Sequence, residues 1–266
     1  MRKKSVAAVV ILSLIMAILR TVIIINNMET NYNNSTYYLP DRFLPNAFTA
    51  VALVLIPAMF IYASVSNKGL RPVLESNDLL SATASCTLGF ILLGCFAVFA
   101  KQYVSDFDSL AKYSTAVAAL AALSAVVFLF LGVKPQSGKL SAILGLLPML
   151  FTLARLFSDF LSSTSAPFAN SGAYHLMSLC FLLLFFLCEN KSHVEMGSAS
   201  LFFGFGFVSI FLLLVYALPN VVLHCMGFGV FKFGFASALS VADLVAAFYV
   251  AAKLSSAKLV PLKKSA

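Results

Sequence analysis

Apolar runs of about 20 residues alternate with short polar breaks along this whole chain. Eight runs stand out, at about 5–26, 46–66, 80–100, 115–133, 140–161, 173–188, 198–218 and 233–252. Nearly all of them have the length a helix needs to cross the hydrocarbon core of a bilayer. Within a run the apolar residues form no clean stripe, because lipid wets most of such a helix. A helix satisfies its own backbone hydrogen bonds in a solvent that offers none, so the pattern predicts helices. The expected fold is all-α, a polytopic helix bundle forming a single transmembrane domain over residues 1–266.

Composition agrees with the pattern. The chain is 61% hydrophobic and 11% charged, with a mean hydropathy of +0.97. Soluble domains are about 45–50% apolar and about 25% charged, so an ordinary soluble enzyme, a disordered chain and a secreted disulfide scaffold are excluded. Cys86, Cys95, Cys180, Cys188 and Cys225 show no metal spacing, and four of them sit in apolar runs as small hydrophobes. With no Trp, the interfacial belts fall to Tyr and Phe. The first run begins Met1-Arg2-Lys3-Lys4 but is too long for a signal peptide, and Ile25 to Glu29 is no A-x-A site. It is read as a retained span.

Charge placement gives the expected orientation. Alternate loops collect twelve basic residues on one side, including Arg2, Lys3, Lys4, Lys68, Arg71, Lys191, Lys253 and Lys264. The other side takes four, Arg42, Lys101, Lys112 and Lys232, and Arg20 and Arg155 lie inside spans. The positive-inside rule then puts both termini in the cytoplasm of a cell-membrane protein. The net charge of +8 is thus an orientation signal facing anionic lipid, and nucleic acid is not needed as a partner. The longest connection, about Asn27 to Pro45, is too short for a domain. Its overlapping sequons at Asn33 and Asn34 matter only where the host glycosylates.

The chain also admits a division into two parallel four-span repeats, 1–134 and 135–266. Arg20 and Arg155 then fall at matching depth in the first and fifth spans. Shared basic ends and apolar middles explain the same likeness without duplication. Small residues recur every four positions at Ser114, Ala118 and Ala122 and at Ala238, Ala242 and Ala246. Such faces let backbones approach, so the fourth and eighth spans are expected to be central and the sixth and seventh partly lipid-facing. Pro57 and Pro148 fall inside spans and predict bends. The Gly-aromatic stretch Gly227 to Gly234 reads as an interfacial or re-entrant connection.

Four charges lie within spans: Arg20, Arg155, Asp159 and Asp243. Each costs about 2.5–3.5 kcal/mol near the bilayer centre, so each needs a partner or water. Arg155 and Asp159 are one turn apart. Thr152, Arg155, Asp159 and Ser163 make a polar stripe toward the outer surface, and His175 starts the sixth span beside it. Asp243 is expected to pair with Arg20 first and Arg155 second. Two readings compete for this cluster: ion pairs that fix helix register, and an outward polar pocket for a small polar or anionic ligand. The functional expectation is a small transporter or ligand-binding membrane subunit. The alternative is a non-catalytic assembly partner of another membrane protein. An intramembrane enzyme ranks third, because no HExxH, GxSxG or phosphate-binding loop is present. His224 and Cys225 are too few for a metal site, and no cofactor is implied.

Overall fold

The computed structural model describes residues 2–32, 43–74, 78–105, 113–133, 138–163, 170–226 and 234–261. Every expected span is helical: α1 (Arg2–Tyr32), α2 (Phe43–Ser66), α3 (Leu79–Ser105), α4 (Ser114–Val133), α5 (Lys139–Leu144) with α6 (Leu146–Ser163), α7 (Asn170–His193), α8 (Ala199–Cys225) and α9 (Phe235–Ser256). With α5 and α6 forming one crossing, the described residues contain eight helical segments long and apolar enough to span a membrane. It is a polytopic all-α bundle.

Two short strands, β1 (Leu70–Val73) and β2 (Lys258–Pro261), pair antiparallel with Leu70 opposite Pro261. β1 joins α2 to α3 and β2 follows α9, so the C-terminal segment meets the α2–α3 connection. Arg71 of β1 donates from Nη1 to Glu195 Oε2 in the α7–α8 connection at 2.7 Å. These three connections share one side, here the terminal face; the opposite side is the far face.

The fifth span is broken at Gly145, where a Cβ would collide with the Asn190 side chain of α7. Asn190 in turn donates from Nδ2 to Met149 Sδ at 3.0 Å. The break puts Pro148 in the first turn of α6, where an amide hydrogen has no partner in its own helix. Pro148 therefore starts a helix rather than bending one, which corrects the sequence expectation. The 227–233 connection and the two sequons lie outside the described residues.

Six helices close a ring. α3 packs on α4, α4 on α6, α6 on α7, α7 on α8, α8 on α9, and α9 returns to α3. α1 and α2 lie outside the ring, both against α8. α8 is thus covered from two sides and is the most buried span, at 78% against 61% for α9 and 44% for α4. Phe203, Phe207, Ile210, Phe211 and Leu214 are all sealed. The expectation that the fourth and eighth spans are the most buried, with the seventh partly in lipid, is corrected. A Leu- and Phe-rich helix suits lipid and a protein interior equally well, so its composition does not say which it meets.

The small-residue faces do pack, with one exception. In α4 the buried positions are Ser114, Val117, Ala118, Ala121, Ser124, Ala125, Val127, Phe128 and Gly132, whereas Ala122 is only partly covered. A Cβ at Gly89 of α3 would press on Leu129 and the Ala125 carbonyl, and one at Gly132 on Cys86 and Ala82. That mutual lack of room is what brings α3 and α4 close. Ala238, Ala242 and Ala246 of α9 are all buried.

Candidate functional site

α6 presents Thr152, Arg155 and Asp159 toward the ring axis because residues three and four apart share a helix face. Asp243 of α9 and His175 of α7 converge on the same point. Arg155 Nη1 donates to Asp243 Oδ1 at 2.5 Å, and Nη2 donates to Oδ2 at 2.7 Å. This is a bidentate fork, the geometry that makes Arg–carboxylate pairs strong and directional. The side chains are 4% and 2% exposed, so the pair is sealed from solvent. Asp243 therefore pairs with Arg155, and the expected first partner, Arg20, is wrong.

The second Nη2 hydrogen goes to His175 Nε2 at 3.0 Å. An arginine nitrogen only donates, so Nε2 accepts and a neutral His175 carries its proton on Nδ1. Nδ1 lies 3.6 Å from Asp159 Oδ2. Asp159 also stands 3.8 Å from Arg155 Nε, an ion-pair distance too long for a hydrogen bond. The Asp159 side chain is 31% exposed, so exposure rises along α6 from Arg155 toward the far face. Tyr216 of α8 holds the His175 ring flat, with centroids 4.1 Å apart and planes 6° from parallel. Ser240 of α9 donates to its own helix, at the Ala236 carbonyl, 3.3 Å away. Tyr216 is not marked as a site residue by the sequence, because nothing in an apolar run identifies the ring that faces a given histidine.

Thr152 lies on the other side of the pair. Its hydroxyl donates to the Pro148 carbonyl at 2.8 Å. It lines a cavity of about 20 Å³ with Arg155, Asp243, Phe128, Leu182 and Phe186. The polar stripe thus runs both ways from Arg155. Ser163, its outermost member, and the 164–169 connection are not described at side-chain level.

Arg20 has a different task. It lies on α1, outside the ring, and donates from Nη1 to the Val215 carbonyl of α8 at 2.9 Å. That carbonyl is four residues before Pro219, which has no amide hydrogen to give it. Arg20 supplies the donor that proline took away. Its guanidinium also lies over the Tyr174 ring, 4.2 Å from the centroid, a favourable cation–π contact. Tyr174 in turn donates from its hydroxyl to Thr49 Oγ1 of α2 at 3.1 Å.

A third polar group was not anticipated. Tyr249 of α9 donates to Glu189 Oε1 of α7 at 2.7 Å, and Lys253 Nζ stands 3.4 Å from the same oxygen. Glu189 and Lys253 read as loop charges in the sequence because they end their apolar runs, although Tyr249 and Lys253 are spaced one turn apart. Among the described residues no three His, Cys, Asp or Glu side chains are gathered for a metal ion. Around His175 the guanidinium of Arg155 already fills the position between the carboxylates.

Fold and site together define a class: a polytopic helical membrane protein with a charge-paired polar centre inside a ring of six helices. No protein-family model, curated protein or solved structure matches the chain.

Proposed function

We propose that the protein is a small transporter or ligand-binding membrane subunit. Its site for a polar or anionic ligand lies on the far-face side of the Arg155–Asp243 pair, and its termini are cytoplasmic. One observation carries the reading: Arg155, Asp159, His175 and Asp243 converge from three helices on the axis of a closed ring. Exposure there grows from 4% at Arg155 to 31% at Asp159. A single ion pair would suffice to fix the register of two helices. Here Arg155 is offered two carboxylates and an imidazole, an arrangement in which a bound anion can compete for the guanidinium. Intramembrane ionisable clusters facing a bundle interior mark ligand and ion pathways.

Accessibility tests this directly. In a chain whose native cysteines are replaced, Asp159→Cys should react with a membrane-impermeant thiol reagent added at the far face. Its shielding would leave no reachable pocket. The second reading, a non-catalytic assembly partner, would then take over. It draws its own support from the sealed Arg155–Asp243 fork, which ties α6 to α9, and from the broad exposed apolar face of α2 at Val51, Leu53, Val54 and Ile61.

A further inference from the structure

The Glu189–Tyr249–Lys253 cluster has no part in a far-face ligand pocket, yet it lies on the same axis. Tyr249 is six positions beyond Asp243 on α9, about 9 Å along the helix at about 1.5 Å per residue. The cavity of about 20 Å³ begins at Asp243, Arg155 and Thr152 and ends on Phe128 and Phe186. A space of that size is about that of one water, and Arg155, Asp243 and Thr152 form the polar part of its otherwise apolar wall. Beyond it the Phe128 and Phe186 rings lie 6.1 Å apart, and both pack on the Tyr249 ring, at 5.2 and 6.1 Å. Tyr249 then hands on to Glu189 and Lys253. From far face to terminal face the axis carries Asp159 with His175, Arg155 with Asp243, a water-sized void, an aromatic pair, and Tyr249 with Glu189. Other ionisable groups face these two stations: Cys95 of α3 and Tyr216 of α8 toward Asp243, and His193 of α7 toward Glu189.

We propose that this axis is a proton route, with Asp243 the mid-membrane carrier, Glu189 the exchange group of the terminal face, and the Phe128–Phe186 pair the dry gate between them. The proposal deepens the transporter reading, on which its use for coupling rests: the ion that drives the ligand is a proton. A proton entering past Asp159 and His175 adds to the Asp243 carboxylate and ends its charge pairing with Arg155. The freed guanidinium turns to Asp159, already 3.8 Å from its Nε, or to an anionic ligand. When the two rings part, water fills the gap and the proton passes from Asp243 through it to the Glu189 carboxylate. Asp243, negative again, recaptures Arg155. Glu189 then releases the proton at the terminal face and re-pairs with Lys253. One proton enters and one leaves, with no redox change, and the membrane gradient supplies the direction.

Burial supports a role beyond register. Two ionic clusters stacked in one ring interior are costly to insert, and either alone would fix how α9 sits against its neighbours. The aromatic pair between them is what a route closed in its resting state requires, since water held between the carboxyl groups without a gate would dissipate the gradient.

Proton entry into liposomes tests the route. The purified full-length chain is reconstituted with a trapped pH-sensitive dye, and a valinomycin-imposed potassium potential drives the flux. Phe186→Ala on α7, and independently Phe128→Ala on α4, should raise proton entry well above wild type and above protein-free vesicles. Adding Glu189→Gln to either should return it to the wild-type level, with monodisperse elution confirming that the chain is folded. Folded gate variants that stay at the protein-free level would overturn the route, as would a raised flux indifferent to Glu189→Gln. The two readings fail separately. A labelled thiol at 159 with no gated flux would remove the proton route and keep the pocket. A shielded thiol with gated flux would do the reverse.

Discussion

At the scale of single residues the decisive contact is the Arg155–Asp243 fork. A buried ion pair contributes little net stability, but breaking it strands a charge, at a cost of about 3–5 kcal/mol. Asp243→Asn should therefore lower the unfolding free energy in detergent by about that amount. Adding Arg155→Met should recover part of the loss, because the stranded guanidinium is gone. Strict additivity of the two changes would contradict the pairing. Arg20→Met should add to Asp243→Asn without coupling, since Arg20 bonds the Val215 carbonyl and no contact joins it to Asp243 among the described residues. The four intramembrane charges and His175 are legible in the sequence by type and depth. Their pairing is not: both arginines lie at a depth from which either can reach Asp243, and only the relative rotation of α1, α6 and α9 chooses.

At the scale of elements, α8 depends on a donor from outside itself. Pro219 leaves the Val215 carbonyl without its helical partner, so Arg20→Met should cost about 1–3 kcal/mol as an unsatisfied buried acceptor. In a Pro219→Ala background the residue at 219 regains an amide hydrogen four positions after Val215. The same Arg20→Met change should then cost clearly less. Equal costs in both backgrounds, read by thermal unfolding, would show that Arg20 does not act through that carbonyl. The α3–α4 contact makes a second prediction. Ala121→Leu should destabilise by about 1–3 kcal/mol through overpacking, whereas Ala122→Leu, one position round the helix, should be tolerated better. Comparable melting temperatures for the two variants would contradict the register of α4 described above. The four-residue recurrence of small side chains thus identified the helix that packs closely and two of its buried positions, Ser114 and Ala118, but it continued to Ala122 where the buried face runs on through Ala121 and Ala125. Val117, Phe128 and Gly132 share the buried side and lie outside that series.

At the scale of the whole molecule, the β1–β2 pairing joins the C-terminal segment to the α2–α3 connection, and the Arg71–Glu195 bond joins it to the α7–α8 connection. The expected orientation makes that face cytoplasmic. Reporter fusions at Asn33 and Lys264 should accordingly report opposite sides of the membrane, and the same side at both would refute the topology. The number and approximate places of the crossings follow from the sequence by itself, because the transfer of a helix into lipid depends on that segment alone and leaves its mark as hydropathy. For the same reason the sequence marks which charges must be buried, and the asymmetry of its loops predicts a direction. Three things were decided only by tertiary structure: that α8 rather than α4 or α9 is the most buried span, that Arg155 rather than Arg20 holds Asp243, and that Tyr249, Glu189 and Lys253 align beneath that pair. Lipid and a packed protein interior are nearly the same solvent to an apolar side chain. A span therefore carries the record of its depth but not of its neighbours, and the neighbours are set only when six helix faces close into one ring.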